Sequence, residues 1–255
     1  MADQYNNRIQ KFLVVGSAAA YVTQWGTLGA AAQKFNTPQG LALNGDGTLL
    51  YVSDSNNCRI QKYNNAGTWI TQWGSSLLDN GNLSSPADVY VDPTGNVSVA
   101  DSQNQRIQQF TSTGTFIAVF GSLGTADAQF NTPSGLSADS GGFLYVADTG
   151  NHRIQKFTST NLFDISWGSQ GSGIGNFESP LGIALDSSNN VYVADTGNNR
   201  IQKFNSDGSY SSQWGTYGTG NGQFKGPSGI ARDSQNNIYV ADTDNNRVQK
   251  FTSGG

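Results

Sequence analysis

The chain has 255 residues, enough to bury a sizeable core, and an all-β fold can use that length as a single domain. Charged residues make up only 13% of it and the net charge is −4, which argues against a general affinity for nucleic acids or anionic membranes. The single cysteine, Cys58, excludes an internal disulfide and a cysteine-rich zinc site, and no apolar run approaches the roughly 18 residues of a membrane span.

The predicted elements, read from the N-terminus, belong to a repeat. The first copy is ADQYNNRIQKF, and related segments follow five more times, with their aspartates 47 residues apart from the second copy onward. Each repeat also contains an aromatic residue followed by glycine, usually as QWG, and a proline 13 residues later. A fixed period of this length indicates a repeat architecture. The six copies are 2–12, 53–63, 100–110, 147–157, 194–204 and 241–251.

Each repeat predicts four short strands, which we label a to d. In the copy from 180 to 215 they are LGIALD, VYVAD, RIQKF and YSSQWG, separated by turn clusters such as SSNN and TGNN. No segment keeps a 3.6-residue period, so helices should be scarce. Strands of about five residues are too short to be stable alone. Four of them in a small antiparallel sheet, repeated radially, predict an all-β fold, the β-propeller.

The repeated sequence YVADTGNHRIQKF resembles the NHL repeat, which is named for an Asn-His-Leu triplet that reads Asn151-His152-Arg153 here. The resemblance covers essentially the whole chain. It implies a β-propeller of four-stranded antiparallel blades. Relatives serve as protein-binding platforms, RNA-binding domains, extracellular modules and lyases, so the resemblance is specific for fold and weakly specific for function.

The strand signals predict the number of blades. There are five of a, five of b, six of c and five of d, and the inner ring of a propeller consists of a strands, so we predict five blades in one domain, 1–255. The N-terminal strands would then close the ring with the C-terminal blade. One copy of c would be surplus, and its open edge would permit self-association. The alternative is a six-bladed NHL-type ring that is incomplete in this chain.

An aspartate and an arginine keep a five-residue spacing in every copy. This spacing fits a b–c hairpin turn, where the carboxylate can accept turn N–H groups and the arginine can pair with a carboxylate or with loop carbonyls. We therefore interpret these residues as structural. They are Asp3 and Arg8, Asp54 and Arg59, Asp101 and Arg106, Asp148 and Arg153, Asp195 and Arg200, and Asp242 and Arg247.

His152 is the single histidine, and its neighbours Asp148 and Arg153 make the segment look like a catalytic cluster. A catalytic base needs its own chemistry, whereas the other copies place any modest polar side chain at this position. We keep His152 as a candidate binding residue without a catalytic role. The equivalent residues are Asn7, Cys58, Gln105, Asn199 and Asn246.

The scarcity of histidine and cysteine leads us to predict no enzymatic activity, no metal and no cofactor. NHL-like lyases use several histidines, commonly with zinc, and one histidine with one cysteine cannot form such a site. No GxSxG motif or nucleophile–base set is present in the sequence. A lyase-like propeller that has lost its site remains an alternative.

Two charges depart from the repeat near the predicted inner strands. Asp88 occupies a position that is glycine in the other copies, and Arg232 occupies one that is leucine, valine or alanine. Both are candidate binding residues. Tyr90 and Ser98 also depart, but they replace a small–large pair by a large–small pair across the a–b hairpin, so we interpret them as packing residues.

We predict a recognition or scaffold module that binds a protein or a glycan through its polar loop face, formed by the d–a and b–c loops. RNA binding is an alternative, which the dispersal of the lysines along the c strands disfavours. The composition and two sequons, at Asn82 and Asn96, favour an extracellular or cell-surface location. A recurrent apolar position in the d–a loops predicts a plug between blades, with sugar stacking, as in a lectin, as the alternative: Phe35, Leu83, Phe130, Phe177 and Phe224.

Overall fold

A computed structural model describes residues 1–16 and 18–255. The described residues are almost entirely strands, turns and loops, and the helical elements among them are six single 3₁₀ turns. None of these helical turns is long and apolar enough to cross a membrane. The turns each lie between a b strand and a c strand: Gln4–Asn6, Ser55–Asn57, Ser102–Asn104, Thr149–Asn151, Thr196–Asn198 and Thr243–Asn245.

The chain groups into two units, 1–121 and 122–255. The N-terminal unit contains one three-stranded and two four-stranded antiparallel sheets. The strands of the first sheet are β1 (Ala2–Asp3), β2 (Arg8–Val15) and β3 (Ala18–Trp25). The second comprises β4 (Pro38–Leu43), β5 (Leu49–Asp54), β6 (Arg59–Asn64) and β7 (Trp69–Trp73), and the third β8 (Pro86–Val91), β9 (Val97–Asp101), β10 (Arg106–Phe110) and β11 (Phe116–Phe120).

The C-terminal unit contains two four-stranded sheets and one three-stranded sheet, again antiparallel. Its first sheet comprises β12 (Pro133–Ala138), β13 (Leu144–Asp148), β14 (Arg153–Phe157) and β15 (Phe163–Trp167). Its second comprises β16 (Pro180–Leu185), β17 (Val191–Asp195), β18 (Arg200–Phe204) and β19 (Tyr210–Trp214). Its third comprises β20 (Pro227–Arg232), β21 (Ile238–Asp242) and β22 (Arg247–Phe251).

The sequence positions of the four strand signals are those of the observed strands. In the sheet of β16 to β19 the order is a-b-c-d, with Ile183 opposite Val193 and Ile201 opposite Trp214. The b strand Val191–Asp195 is buried on both faces, which explains its run of β-branched and aromatic residues. The a and d strands, at the two edges of each complete sheet, are more exposed.

The core lies between successive sheets of each unit. In the C-terminal unit, Ile154 and Tyr145 of one sheet form a buried cluster with Ile183 and Val193 of the next. The d-strand tryptophan joins each such pair, because Trp167 packs on Phe204 with ring centroids 5.9 Å apart. The c–d turn beneath it requires glycine: a Cβ on Gly208, whose φ is +82°, would lie 3.0 Å from the Trp167 ring. The repeated aromatic residue and glycine therefore hold neighbouring sheets together.

The prediction of five blades is wrong, and the six-bladed alternative fits. Among the described residues there are six sheets, and each of the six c strands lies within its own sheet. The N-terminal d strand, β3, pairs with β2 from Ile9 opposite Trp25 to Val15 opposite Ala18, and the C-terminal sheet has three strands. Counting complete a-to-d sets failed because a blade can form with three strands, so neither terminal c strand is surplus.

Tyr90 and Ser98 are opposite each other across the hairpin of β8 and β9. The predicted pairing is therefore confirmed. In the neighbouring sheet the same two positions hold Ala42 opposite Tyr51, and Tyr51 is fully buried. The exchange of large and small side chains between the two strands is consistent with packing that conserves volume.

Candidate functional site

The b–c turn of each repeat is organised around one buried carboxylate. In the sheet of β12 to β15, Oδ2 of Asp148 accepts hydrogen bonds from Arg153 Nε at 2.7 Å, Asn151 Nδ2 at 2.9 Å and Gln155 Nε2 at 3.0 Å. Its Oδ1 accepts the backbone N–H of Asn131, in the d–a loop, at 2.7 Å. Asp148 is fully buried, so these donors replace the water that an ionised carboxylate needs.

The arginine and the glutamine extend this network to the d–a loop. Arg153 Nη2 donates to the carbonyl oxygens of Ala126 and Gln129, at 2.7 and 2.9 Å. Gln155 Nε2 donates to the Gln129 carbonyl at 2.6 Å, and Gln155 Oε1 accepts the Ala128 N–H at 2.9 Å. The loop backbone is therefore fixed by side chains of the b–c turn and the c strand.

The same carboxylate network recurs along the chain, and we call it the aspartate hub. Its sequence pattern is D-x-x-N-x-R-x-Q, in which only the aspartate and arginine had been singled out from the sequence. The asparagine and glutamine have an equally regular spacing, which could have identified them. Five fully buried aspartates hold a complete hub: Asp54, Asp101, Asp148, Asp195 and Asp242.

His152 lies at the end of a b–c turn in the left-handed backbone conformation, with a φ of 54°. Its Nδ1 accepts the backbone N–H of Ser179 at 3.1 Å, and Glu178 Oε1 lies 3.8 Å away. The hydrogen bond to Ser179 therefore connects the b–c turn of one sheet to the next d–a loop.

Two of the residues at the same position in other copies make the same contact. Asn7 Oδ1 accepts the N–H of Thr37 at 2.8 Å, and Asn199 Oδ1 accepts the N–H of Gly226 at 2.9 Å. Asparagine is enriched in the left-handed region and carries an acceptor at the right length, which explains its recurrence here. His152 therefore links its b–c turn to the next d–a loop in the same way as these asparagines.

Asp88 lies on the innermost strand of its sheet, β8, and is partly buried. Its Oδ1 accepts the N–H of the adjacent Val89 at 2.8 Å. A Cβ on Gly40, in the neighbouring inner strand β4, would lie 2.5 Å from the Asp88 Cα, so glycine at position 40 is required by the close approach of these strands. This packing explains the glycine of the neighbouring copy, and a ligand-binding role for Asp88 stays a prediction.

Arg232 is exposed at the end of β20, beside a groove of about 170 Å³ in the C-terminal unit. Asp139, Asp186 and Asn189 also line the groove. The contacts of the guanidinium are long, 3.5 Å to the Asp233 carbonyl and 3.4 Å to Asn236 Oδ1. The structure therefore places Arg232 at the a–b turn end of its sheet, whereas the hub aspartate of that sheet, Asp242, lies at the other end of the hairpin.

Aspartates of the a–b turns are held ionised by hydrogen bonds. Burial disfavours the charged form of Asp186, but donation from Asn190, Tyr192 and Ser188 outweighs it and lowers the pKa of its carboxyl. Hydrogen bonds to the Asp233 carboxylate lower its pKa to about 2, and the one from Asn237 Nδ2 has the largest effect. Carboxyls with a lowered pKa stabilise turns and are poor general acids at neutral pH.

The recurrent apolar position of the d–a loops is fully buried in each of its five occurrences. Exposed apolar side chains lie elsewhere in the same loops, and the sequence reading missed them. Three of them, at the third residue after the d-strand aromatic, are bridged to the buried position: Leu28, Leu123 and Tyr217. Leu78 and Ile174 are further exposed apolar residues of these loops. Their regular spacing from the d-strand aromatic residue could have identified the first three.

No group of three or more histidine, cysteine, aspartate or glutamate side chains that could hold a metal ion occurs among residues 1–16 and 18–255. The hub carboxylates are occupied by arginine and amide donors, and each lies in a separate sheet.

The repeats of the C-terminal unit match a known family profile. The NHL repeat profile matches residues 130–157, 177–204 and 224–251, each running from the buried d–a position to the end of a c strand. Three stretches of this chain are therefore NHL repeats, and its fold matches the β-propeller of the NHL-repeat family. Residues 2–122 of this NHL-repeat protein match a second profile, the SMP-30/Gluconolactonase/LRE-like region. No curated protein matches the chain.

Solved structures with a similar fold include proteins of different functions. A streptogramin B lyase is 15% identical, with a TM-score of 0.66, and the match covers 98% of this chain and 72% of the lyase. Virginiamycin B lyase from Staphylococcus aureus, solved with quinupristin, is 16% identical with a TM-score of 0.58, covering 84% and 69%. A chain of a nidogen/laminin complex is 17% identical with a TM-score of 0.68, covering 97% and 90%. At these identities the likeness is one of fold.

The prediction that the chain is not an enzyme is wrong. Its N-terminal half matches a family named for gluconolactonase, and lyases are among the structures that share its fold. The argument from one histidine and one cysteine excluded sites built from those side chains only. Aspartate and tyrosine, which are plentiful here, also carry acid–base chemistry.

Proposed function

We propose that this NHL-repeat protein recognises a protein partner through its d–a loops. The observation that carries the proposal is the regular exposure of large apolar side chains on these loops. In the C-terminal unit they are Leu123, Ile174 and Tyr217, each 67% exposed. In the N-terminal unit they are Leu28 and Leu78, at 64% and 78%. Exposed aliphatic and aromatic residues on a polar background are typical of protein interfaces.

The loops that present these residues are fixed before binding. Tyr217 lies opposite the buried Phe224 in an isolated bridge, and the carbonyls of Gly220 and Gln223 accept hydrogen bonds from Arg247 Nη2 at 2.6 and 2.9 Å. A loop that is already ordered loses less conformational entropy when it binds. The aspartate hub therefore supports recognition indirectly, as a positioning device.

Protein is a better partner than glycan for this surface. Sugar stacking needs accessible aromatic faces, but the recurrent loop aromatics, such as Phe130, Phe177 and Phe224, are fully buried, and four of the five exposed loop residues named above are aliphatic, Tyr217 being the aromatic one. Four of the five lysines of the c strands lie over tyrosine rings, as Lys203 does 5.1 Å from the centre of Tyr192, and Lys11 donates to the Asn65 carbonyl, so they do not form a free basic patch for RNA. An extracellular or cell-surface location stays a prediction.

A matched pair of variants tests this proposal. The first carries Leu123→Ser, Ile174→Ser and Tyr217→Ser on the d–a loops. The second carries Leu162→Ser, which removes an apolar side chain of the same exposure, 66%, from the c–d turn at the other end of a sheet. Partners captured by the parent protein are purified and their binding to the three proteins is measured by calorimetry, beside a glycan array.

We expect the loop variant to lose at least tenfold in affinity and the Leu162 variant to bind as the parent does. Equal binding by all three proteins would show that the apolar loop residues are not the interface. Saturable binding to a glycan that the loop variant retains would replace the protein partner by a carbohydrate.

The family match over residues 2–122 favours an enzyme as a second candidate. A groove of about 350 Å³ in that region is lined by Asn44, Asp46, Asp92 and Thr94. Hydrogen bonds from the Thr48 side chain and, to a smaller extent, from its backbone N–H lower the pKa of Asp46, which keeps this carboxylate charged for a contact with a substrate. The test is hydrolysis of a panel of lactones by the parent and by Asp92→Asn, and an absence of turnover in both would remove this candidate.

A further inference from the structure

The outer edge of the C-terminal sheet is an open strand edge. Strand β22 is the last of three strands, whereas each equivalent c strand in the complete sheets is covered by a d strand. As a result Val248 is 48% exposed, while Ile60, Ile107, Ile154 and Ile201 at the same position are fully buried. An exposed strand edge with an apolar side chain is a template for pairing.

The complete sheets show what covers this position. Ile201 of β18 lies opposite Trp214 of β19, Gln202 opposite Gln213 and Lys203 opposite Ser212. In the sheet of β4 to β7 the d strand has the related sequence WITQW, again with its tryptophan opposite the isoleucine of the c strand. The repeat thus defines both the register and the sequence of a strand that fits the c-strand edge.

One hydrogen-bond donor of the open edge also lacks the partner that a d strand supplies. Nη1 of Arg59 donates to Gln72 Oε1 and Nη1 of Arg200 donates to Gln213 Oε1, each at 3.0 Å, and both glutamines directly precede the d-strand tryptophan. Arg247 uses Nε and Nη2 for the hub and the loop, and its Nη1 makes no hydrogen bond with the described residues.

We propose that β22 binds an extended segment of another protein by strand addition, and that this segment carries Gln-Trp-Gly after alternating β-branched or aromatic residues. The added strand is antiparallel to β22, with its tryptophan opposite Val248 and its glutamine opposite Gln249. The glutamine side chain accepts from Arg247 Nη1, and backbone hydrogen bonds supply the rest of the affinity. This site is distinct from the d–a loop surface.

The probe is the peptide GTWITQWGS, which reproduces residues 67–75, titrated calorimetrically into the full chain. We expect saturable one-to-one binding. A scrambled peptide should not bind, and replacing the glutamine by alanine should weaken binding about tenfold, as expected for one hydrogen bond to a charged group.

Two variants of the chain locate the site. Val248→Asp, on the open edge, should weaken peptide binding at least tenfold. Ile117→Asp, on the edge strand β11 of a complete sheet and 45% exposed, is the matched control and should leave binding unchanged. Thermal melts of both variants verify that the fold is kept.

Three results would overturn the proposal. They are no saturable binding at millimolar peptide, equal binding of the scrambled peptide, and equal weakening by Val248→Asp and Ile117→Asp. Sedimentation of the chain alone tests whether a second copy of this chain occupies the edge. A concentration-dependent dimer that the peptide dissociates would assign the edge to that second copy instead of another protein.

Discussion

Two sheets of the C-terminal unit have nearly the same b–c sequence and different surroundings. Segments 194–204 and 241–251 differ only at Gly197/Asp244 and Ile201/Val248. In the first, β19 covers the c strand and Ile201 is fully buried; in the second, no d strand pairs with β22 among the described residues, and Val248 is half exposed. The comparison teaches that the burial of a c strand depends on the strand beside it. Predictions that use both sheets can therefore separate the effect of the sequence from that of its neighbour.

The largest expected difference concerns the hub aspartates. Asp195→Ala leaves the Arg200 guanidinium, whose side chain is 9% exposed, without its carboxylate, and should lower the free energy of unfolding by about 3–5 kcal/mol. Asp242→Ala should cost less, about 1–3 kcal/mol, because the Arg247 side chain is 28% exposed and can be solvated. Urea unfolding of both variants measures the difference, and equal losses would contradict it.

The second-largest difference in the free energy of unfolding is expected between substitutions of the apolar residues in the two c strands. Ile201→Ala removes a buried side chain between β17 and β19 and should cost about 2–5 kcal/mol. Val248→Ala should cost less than about 1 kcal/mol, since half of the valine is already in water. Urea unfolding again provides the measurement, and a Val248→Ala loss as large as that of Ile201→Ala would mean that the edge is covered in solution.

The fold could be predicted from the sequence because the pattern of each strand recurs in successive copies of the repeat. The number of blades could not, because counting strand signals does not reveal whether β1–β3 and β20–β22 join or form separate sheets. The hub could be predicted in part: Asp148 and Arg153 have an obvious spacing, while the role of Gln155 depends on a loop carbonyl 26 residues away along the chain.

The candidate binding residues show a similar limit. His152 looked unusual as a residue type, but its Nδ1 makes the contact that Asn199 Oδ1 makes in the next repeat. The exposure of Ile174 could not be predicted from hydrophobicity, because the buried Phe177 of the same loop is also strongly hydrophobic. Both cases depend on three-dimensional neighbours that a repeat alignment within one chain does not show.

The acid stability of the protein should depend on carboxyls with lowered pKa. Hydrogen bonds, of which that from the Asn237 side chain has the largest effect, lower the pKa of Asp233 to about 2. The pKa of Asp186 is also lowered. Burial opposes ionisation of Asp242, but donation from the Lys225 N–H, Asn245 and Arg247 lowers its pKa as well. Because carboxyls of the unfolded chain titrate near pH 4, these groups contribute stability above about pH 4 that is lost as the pH falls towards 2.

Thermal melts at constant ionic strength between pH 7 and pH 2 measure this dependence. We expect a nearly constant Tm from pH 7 to 5 and a decline below about pH 4. A Tm that is unchanged at pH 2.5 would show that these carboxyls have ordinary pKa values in the folded protein.

The smallest expected effect is at the position of His152. His152→Asn should change the free energy of unfolding by less than about 0.5 kcal/mol, because Asn199 already makes the equivalent hydrogen bond. His152→Leu should cost about 1–3 kcal/mol, since the Ser179 N–H then loses its acceptor. Binding of a purified partner by His152→Asn serves as the functional control, and a tenfold loss with unchanged stability would assign the residue to recognition.

Hydrogen–deuterium exchange of the two c strands tests the six-sheet account most directly. Segments 200–204 and 247–251 are compared in the intact protein under native conditions. The account predicts that 200–204, held by strands on both sides, exchanges only with global unfolding, while alternate amides of 247–251 exchange orders of magnitude faster from the open edge. Equal, global-level protection of both segments would contradict the account, because a strand from elsewhere would then cover β22.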